Sequence, residues 1–574
     1  MGWCPCGTFS VPSPSTTSSR SLFPGPLPSS LVHTLLLFRV ADPYRRLSVR
    51  FLNGRFGLHS LLHTSTINCR YTTFSLSGVR MVRAQTHRTS TVGFPPISSH
   101  AEREIKLTIG VDFRLPELPG TPLARRLLIS TYYDTASYDL ARARITLRRR
   151  IERGKQSWQL KIPLGDDRQE VEVPDDQAEP PASLRRLLIV HLGHRKLLPV
   201  VTLRVWRTGL QIRHGRVPIA EIALDSVSVE KNGTTVQRFR ELEIELQQGD
   251  IDTLRTLERQ MRKAGASDHD GRPKFFRALS LQTPATRQLP DLKAEVVEHV
   301  KCALAQHVRW LLAHDPGTRL GTEIESLHQM RVAVRRLRAV LRTARPILLP
   351  AWGSSLDQEL DWLSEVLGTA RDLDVQIAYF MEESTGLEAR DRKLLEPFIS
   401  YLRSQRDAAQ QVILSELTSA RYLELIRRLQ QAVQEPSVIE SPLTVRHLAG
   451  QAFKKLRKAI RSLRTSPSDS ALHKTRIKTK RARYAAELAC VSAGKPATRF
   501  IKSARAVQDL LGIHQDAIQA ERHVRQFLKH STSPRAGFVA GRMVERQRYR
   551  RDMVRREMTP LFKTLLKRGK KAWG

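Results

Sequence analysis

Between residues 100 and 280, short runs alternate charged and apolar residues with a period of two: EREIKLTI, ARITLRRRIE, SWQLKIPL, RQEVEV, IAEIALDSVSV and FRELEIEL. This pattern, with turn residues between the runs, predicts antiparallel strands. One side of each strand is apolar and the other is charged. Glu102, Glu104 and Lys106 share a face, as do Arg148 and Arg150, then Arg168, Glu170 and Glu172, then Glu241, Glu243 and Glu245. Unpaired charge is costly to bury in an ordinary core. A single such strand would simply face water. Five or six of them, with both signs mixed, predict a closed sheet whose charged faces turn inward and whose apolar faces lie under helices. In such an interior, carboxylates supply hard oxygen ligands for Mg2+ or Mn2+, and arginines clamp phosphate oxygens.

From about residue 290 the period becomes helical. LHQMRVAVRRLRAVL at 327–341 returns as LHKTRIKTKRARYAA at 472–486, and LGTARD at 367–372 returns as LGIHQD at 511–516. Two motifs repeated in the same order at nearly one offset predict a duplicated helical unit, about 320–430 and 465–574. On a helical wheel Arg331, Arg335, Arg338 and Arg342 share an arc with His328, while Met330, Val334, Leu337 and Leu341 lie opposite. The second copy repeats the arc with His473, Arg476, Lys480 and Arg483. Like charges at this spacing destabilise a helix, so an almost purely cationic face implies a polyanion that neutralises it. Asp372 and Asp516 have two open roles, orienting these bases or capping helices.

Charge distribution agrees. The net formal charge is +39 over 574 residues. Residues 1–100 contribute +9, residues 101–292 +7 and residues 293–574 +23, so the helical half holds most of the anion-binding potential. The five cysteines, Cys4, Cys6, Cys69, Cys302 and Cys490, show no zinc spacing, which fits a reduced, cytoplasmic compartment. No apolar run approaches the roughly 20 residues of a membrane span. Residues 1–99, rich in Ser, Thr, Pro and Arg, are expected to be a disordered or spurious extension, with Met81 an alternative start and a targeting peptide the alternative reading.

The strand region resembles the CYTH, or triphosphate tunnel metalloenzyme, superfamily. The resemblance lies in EREIK, YYDT at 132–135, LRRR at 147–150, LK at 160–161, RQEVE at 168–172, TLRVWR at 202–207, ALD at 223–225, ELEIEL at 241–246 and GRPKFFRAL at 271–279. It implies an α+β fold over 100–282: an antiparallel eight-stranded β tunnel with surrounding helices that hydrolyses or cyclises a triphosphate. Glu102, Glu104, Glu170, Glu172, Asp225, Glu243 and Glu245 fall at metal-binding or acidic positions, with Glu102, Glu104 and Lys106 expected to be catalytic. Arg148, Arg150, Lys161, Arg168, Arg204 and Lys274 fall at phosphate-binding positions. Arg207 joins Arg204 inside only if a bulge intervenes.

Residues 290–574 resemble the CHAD domain, an all-α, internally duplicated helical bundle, through HQMRVAVRRLR and LGTARDLDVQ. The resemblance implies polyphosphate binding by His328, Arg331, Arg335, Arg336, Arg338, His473, Arg476, Lys480, Arg481 and Arg483. The second copy departs at LGIHQD, where His514 replaces the arginine that matches Arg371.

The expected function is therefore Mg2+- or Mn2+-dependent hydrolysis of inorganic triphosphate or short-chain polyphosphate. The alternatives are a non-catalytic, granule-associated polyphosphate binder and an adenylate cyclase-type activity. Neither specific nucleic-acid recognition nor a membrane is expected as partner. Aromatics make up only 6% of the chain, and none is interleaved on the basic faces as a stacking platform.

Overall fold

The computed structural model describes residues 104–281 and 294–574, apart from 165–166, 249 and 322–323. Residues 1–99 and Glu102 lie outside the described residues, as does the side chain of Arg168. Among the described residues the alternating runs form one antiparallel sheet. Its strands are β1 (Glu104–Thr108), β2 (Gly120–Asp134), β3 (Thr146–Glu152), β4 (Lys155–Leu164), β5 (Asp167–Pro174), β6 (Leu198–His214), β7 (Val217–Lys231), β8 (Thr234–Leu246) and the short β9 (Ser267–Asp268). Their order is β5-β4-β3-β2-β6-β7-β8-β1-β9.

The fold class is as expected, α+β with an antiparallel sheet before an all-helical domain, but among the described residues the sheet is not the expected closed tunnel of eight strands. The sheet has nine described strands and is open, with β5 and β9 at its edges. One side of β1 pairs with β8, and on the other side Leu107 and Thr108 pair with Asp268 and Ser267 of β9. At Leu107 and Thr108, β1 is thus paired on both sides.

The period-two pattern sorts the two faces of the sheet. The outer apolar face of β3–β5, with Leu147, Trp158, Leu160, Val171 and Val173, packs under α1 (Asp139–Arg142), α2 (Ala182–Leu187) and α3 (Ile189–Leu192). That of β1, β7 and β8, with Leu107, Ile222, Leu242 and Ile244, packs under α4 (Ile251–Lys263). Asp250 caps α4, accepting a 2.7 Å hydrogen bond from the Thr253 amide. The opposite face is charged over part of its area and apolar over the rest. The apolar part, Leu203, Val205, Val227 and Val229, is sealed by Phe275 and Phe276 of α5 (Lys274–Ala278). Sealing that half fixes Lys274, the first residue of α5, at the border of the charged half.

The helical domain comprises α6 (Val296–Leu320), α7 (Ile324–Ala344), α8 (Pro350–Thr385), α9 (Ala389–Lys393), α10 (Glu396–Thr418), α11 (Ala420–Gln434), α12 (Val445–Arg461), α13 (Asp469–Leu488), α14 (Cys490–Lys529) and α15 (Pro534–Trp573). The predicted buried stripe of α7, Met330, Val334, Leu337 and Leu341, joins one core with α6, α8 and α11. A second core packs α12 and α13 against α14 and α15 through Phe453, Leu456, Phe500 and Leu565. A third joins the halves through Phe380, Phe398, Val524 and Phe527. Val190 of α3 extends into the first helical core, so the sheet and the bundle share packing.

Candidate active site and anion groove

The strand register decides which charges meet. Antiparallel partners place their side chains on one face. Continuous pairing sets Glu245 between Glu104 and Glu221, Lys106 beside Glu243, Asp225 beside Glu241 and Arg207, and Arg148 beside Tyr132 and Gln159. Arg150, Glu152, Lys161, Glu170 and Glu172 follow on the same face. Between Arg204 and Arg207 the pairing to both neighbours runs without a bulge, so the two arginines point to opposite faces. Arg207 is the one inside. Arg204 lies outside, 3.5 Å from Glu230 and 45% exposed, so the expectation of a phosphate contact there is corrected.

At the centre, Asp225, Glu241 and Glu243 bring carboxylate oxygens within 4.8 Å of one another. Lys274 Nζ reaches all three, at 2.8, 2.6 and 2.8 Å. Arg207 donates two hydrogen bonds to Asp225, at 2.7 and 2.6 Å, and a third to Glu243 at 2.6 Å. Lys106 Nζ donates to Glu243 at 2.6 Å and lies 3.1 Å from Glu104. Burial opposes the charges on Lys106, Glu241, Glu243 and Lys274, but the opposite charges beside them win. Glu243, which burial would raise, is held well below the usual carboxylate range by Lys106, Lys274 and Arg207. Lys274, which burial would lower, is raised by Glu243, Asp225 and Glu241. Lys106, Lys274, Glu241 and Glu243 are thus each shifted toward the charged form.

Around this centre Arg126 joins Glu221 at 2.9 Å and Glu152 at 3.3 Å. Arg148 donates to Gln159 and to the Tyr132 hydroxyl. Arg150 lies 3.0 Å from Glu152, and its pKa is lowered by burial and by Arg148. Glu170 is 3.3 Å from Lys161, and Glu172 accepts from Gln159. Lys106, Lys274, Asp225 and Glu243 are thus in direct contact, and Glu104 and Glu245 border them. Glu170 and Glu172 stand on the same face but are engaged by β4. The donor set Asp225–Glu241–Glu243 is all carboxylate oxygen, which suits a hard divalent cation, and Lys274 already stations a cation there. Sequence reasoning passed over Glu241, Arg126 and Glu221 as ligand candidates, although the alternation in FRELEIEL and IAEIALDSVSV carried Glu241 and Glu221; Arg126, in ARRLLIS, lies in no alternating run. His269, 3.5 Å from Glu241, gave no sequence signal.

In the bundle the repeated motif acts twice in the same way. Gly368 lets Arg331 cross α8, since a Cβ there would sit 2.5 Å from its guanidinium, and a Cβ on Gly512 would sit 3.6 Å from that of Arg476. Asp372 lies 3.3 Å from Arg331 and, like Asp516, is in mid-helix, so of the two open roles it orients the base rather than caps a helix. Arg335, Arg476, Arg483 and Lys480 converge across the α7–α13 seam. Burial first, then Arg476, Arg335 and Arg483, push Lys480 down to about 7. Burial, then Arg371, also lower His328. Tyr484 lies between Arg336 and Arg483, whose guanidinium carbons are 4.4 and 4.8 Å from its ring. Arg336 also pairs with Glu487. Arg338 is tied to Asp357 and Asp361, His473 contacts Gln515 at 2.8 Å, and Arg481 is exposed. His514, the departure in the second copy, is buried 3.1 Å from Asp469.

The chain thus joins an antiparallel sheet with an acid–cation centre to a duplicated helical bundle with a cationic seam. The CYTH domain family matches residues 100–276 and the CHAD domain family residues 302–525. The chain carries a CYTH domain followed by a CHAD domain. It is 28% identical over 520 residues to the uncharacterized protein Rv2226 of Mycobacterium tuberculosis, covering 83% of this chain and 99% of that one. Solved structures similar to it include the CHAD domain from the plant Ricinus communis (24% identity, TM-score 0.39, 49% of this chain and 95% of that one). PptA from Streptomyces chartreusis is another (19% identity, TM-score 0.39, 47% and 100%).

Proposed function

We propose that the CYTH domain hydrolyses the terminal phosphoanhydride bond of inorganic triphosphate or short-chain polyphosphate, using Mg2+ or Mn2+, and that the CHAD domain holds polyphosphate along the α7–α13 seam. One observation carries the reading: buried carboxylates and cations interleave within 2.6–2.8 Å around Lys274. A passive anion binder needs the cations, but buried acids would only weaken it.

The chain's own residues would act by exchanging partners. Lys106, Lys274 and Arg207 would trade carboxylate for phosphate oxygens, while Arg148 and Arg150 hold the remainder of the chain. Asp225, Glu241 and Glu243 would hold the divalent cation, which when bound supplies charge neutralisation to the phosphoryl group. Water adds to the terminal phosphorus, the bond to the bridging oxygen breaks with its electron pair leaving on the shortened chain, and a carboxylate of the cluster takes the water proton.

The test is phosphate release from tripolyphosphate, longer polyphosphate and ATP with Mg2+ or Mn2+. Metal-dependent release from tripolyphosphate is expected. His328→Ala/Arg331→Ala should leave that turnover unchanged and weaken long-chain binding by about tenfold. No metal-stimulated release from any of these substrates would contradict the proposal.

A further inference from the structure

The two halves of the helical domain differ sharply in charge. Residues 293–444 hold 19 basic and 21 acidic residues, a net of −2, whereas residues 445–574 hold 33 basic and 8 acidic, a net of +25. The duplicated helices show where the balance changes. Asp361, which neutralises Arg338 from α8, corresponds in the repeat to Arg505 of α14. Part of the excess lies on α12, which carries six basic residues and no acid. Its apolar side, Phe453, Leu456 and Ile460, is buried against α15, where Gly569 lies so close to Phe453 that a Cβ would fall 2.0 Å from the ring. Its other side carries Lys454, Arg457, Lys458 and Arg461, which with Ser462 line an open cleft of about 380 Å3. Among the described residues no acid pairs with these four, although arginines elsewhere in the same half, Arg551 and Arg555, are held by Asp469.

We propose that this face of α12 is a second, separate anion site that binds the phosphate backbone of duplex nucleic acid without reading its sequence. The geometry favours a duplex over a thin phosphate chain. A flexible chain is gripped where cations from two helices converge, as at α7–α13. The α12 cations instead line one open helix edge. At a 1.5 Å rise per residue, Lys454 to Arg461 spans about 10 Å. That is close to the roughly 12 Å width of a major groove, so the row can contact phosphates on both of its edges. Exposed Lys563, Lys567, Lys570 and Lys571 on α15 enlarge the basic surface of this half. The lack of stacking aromatics on this face, which argues against single strands, is immaterial to backbone contacts.

The test is fluorescence anisotropy of a labelled duplex of about 30 base pairs, titrated with the full-length protein at several salt concentrations. The variant Lys454→Gln/Lys458→Gln/Arg461→Gln should weaken binding about tenfold or more and reduce the salt slope by about 2 to 3, since each lost phosphate contact removes about 0.9. A control of equal charge, Arg309→Gln/Arg390→Gln/Lys393→Gln in the first half, should change neither, and melting temperatures confirm that both variants are folded. His328→Ala/Arg331→Ala should leave duplex binding intact, which separates this site from the proposed polyphosphate groove. Equal effects of the two triple variants, binding of polyphosphate or anionic phosphatidylserine vesicles but not of duplex, or full competition at the α7–α13 groove would each overturn the proposal.

Discussion

Arg207 bridges Asp225 and Glu243 from the middle of β6, while Arg204, three residues earlier, faces the other way to Glu230. The pair isolates what a guanidinium does on the charged face from what it does merely on the sheet. Arg207→Ala leaves two buried carboxylates short of a partner, a loss of about 3 kcal/mol or more. It should reduce tripolyphosphate turnover at least a hundredfold, whereas Arg204→Ala should change turnover less than twofold; steady-state rates of the two variants check this. The same residues mark how far sequence reading reaches. The alternation in EREIK, LRRR and ELEIEL identified the face, because period two is a local property of a strand. Choosing between Arg204 and Arg207 required knowing that no bulge separates them, which only the pairing to β2 and β7 reveals. Glu241 was visible as a face residue, yet its place in the cluster depends on Lys274, more than thirty residues away.

At the scale of elements, α7 and α13 each tolerate a cationic face because the opposite face is deeply packed, and because glycines on α8 and α14 admit the arginines. The repeat was legible because two motifs recur in the same order at nearly one offset. The neutralisation of Arg338 by Asp357 and Asp361 was not, since those acids lie on another helix with no fixed spacing to it. Lys480 adds a pH dependence. Buried beside Arg476 and Arg335, it loses its proton near pH 7 in the free protein, and a bound phosphate would restore the charge. Below about pH 7 the lysine is charged whether or not polyanion is bound, so affinity there does not depend on its titration. Above it, binding must take up a proton, so long-polyphosphate affinity should fall by up to tenfold per pH unit between about 7 and 9. Binding isotherms across that range should show the fall, and Lys480→Gln should flatten it.

At the scale of the molecule, α6 leads from the sheet into the bundle and packs on the sheet's helices. His191 of α3 sits there, near Asp315 of α6. Burial first, partly offset by Asp315, pushes its pKa down to about 4, and burial also pushes His314 of α6 to about 4. A histidine kept neutral in the fold and protonated when unfolded contributes stability above its unfolded pKa of about 6.5, and loses it as pH falls towards 4. The melting temperature should therefore drop between pH 7.5 and pH 5, and His191→Gln should shrink the drop. An unchanged drop in His191→Gln would remove the junction from the explanation.

The most direct test of the whole account is the rate of Mg2+- or Mn2+-dependent phosphate release from tripolyphosphate by Glu243→Gln, beside its melting curve. The substitution keeps the shape of the side chain but removes the charge that Lys106, Lys274 and Arg207 share. The account predicts a folded protein whose turnover falls at least a hundredfold, as for loss of a preorganised charge at a reacting phosphate. A folded Glu243→Gln protein hydrolysing tripolyphosphate at the wild-type rate would contradict it.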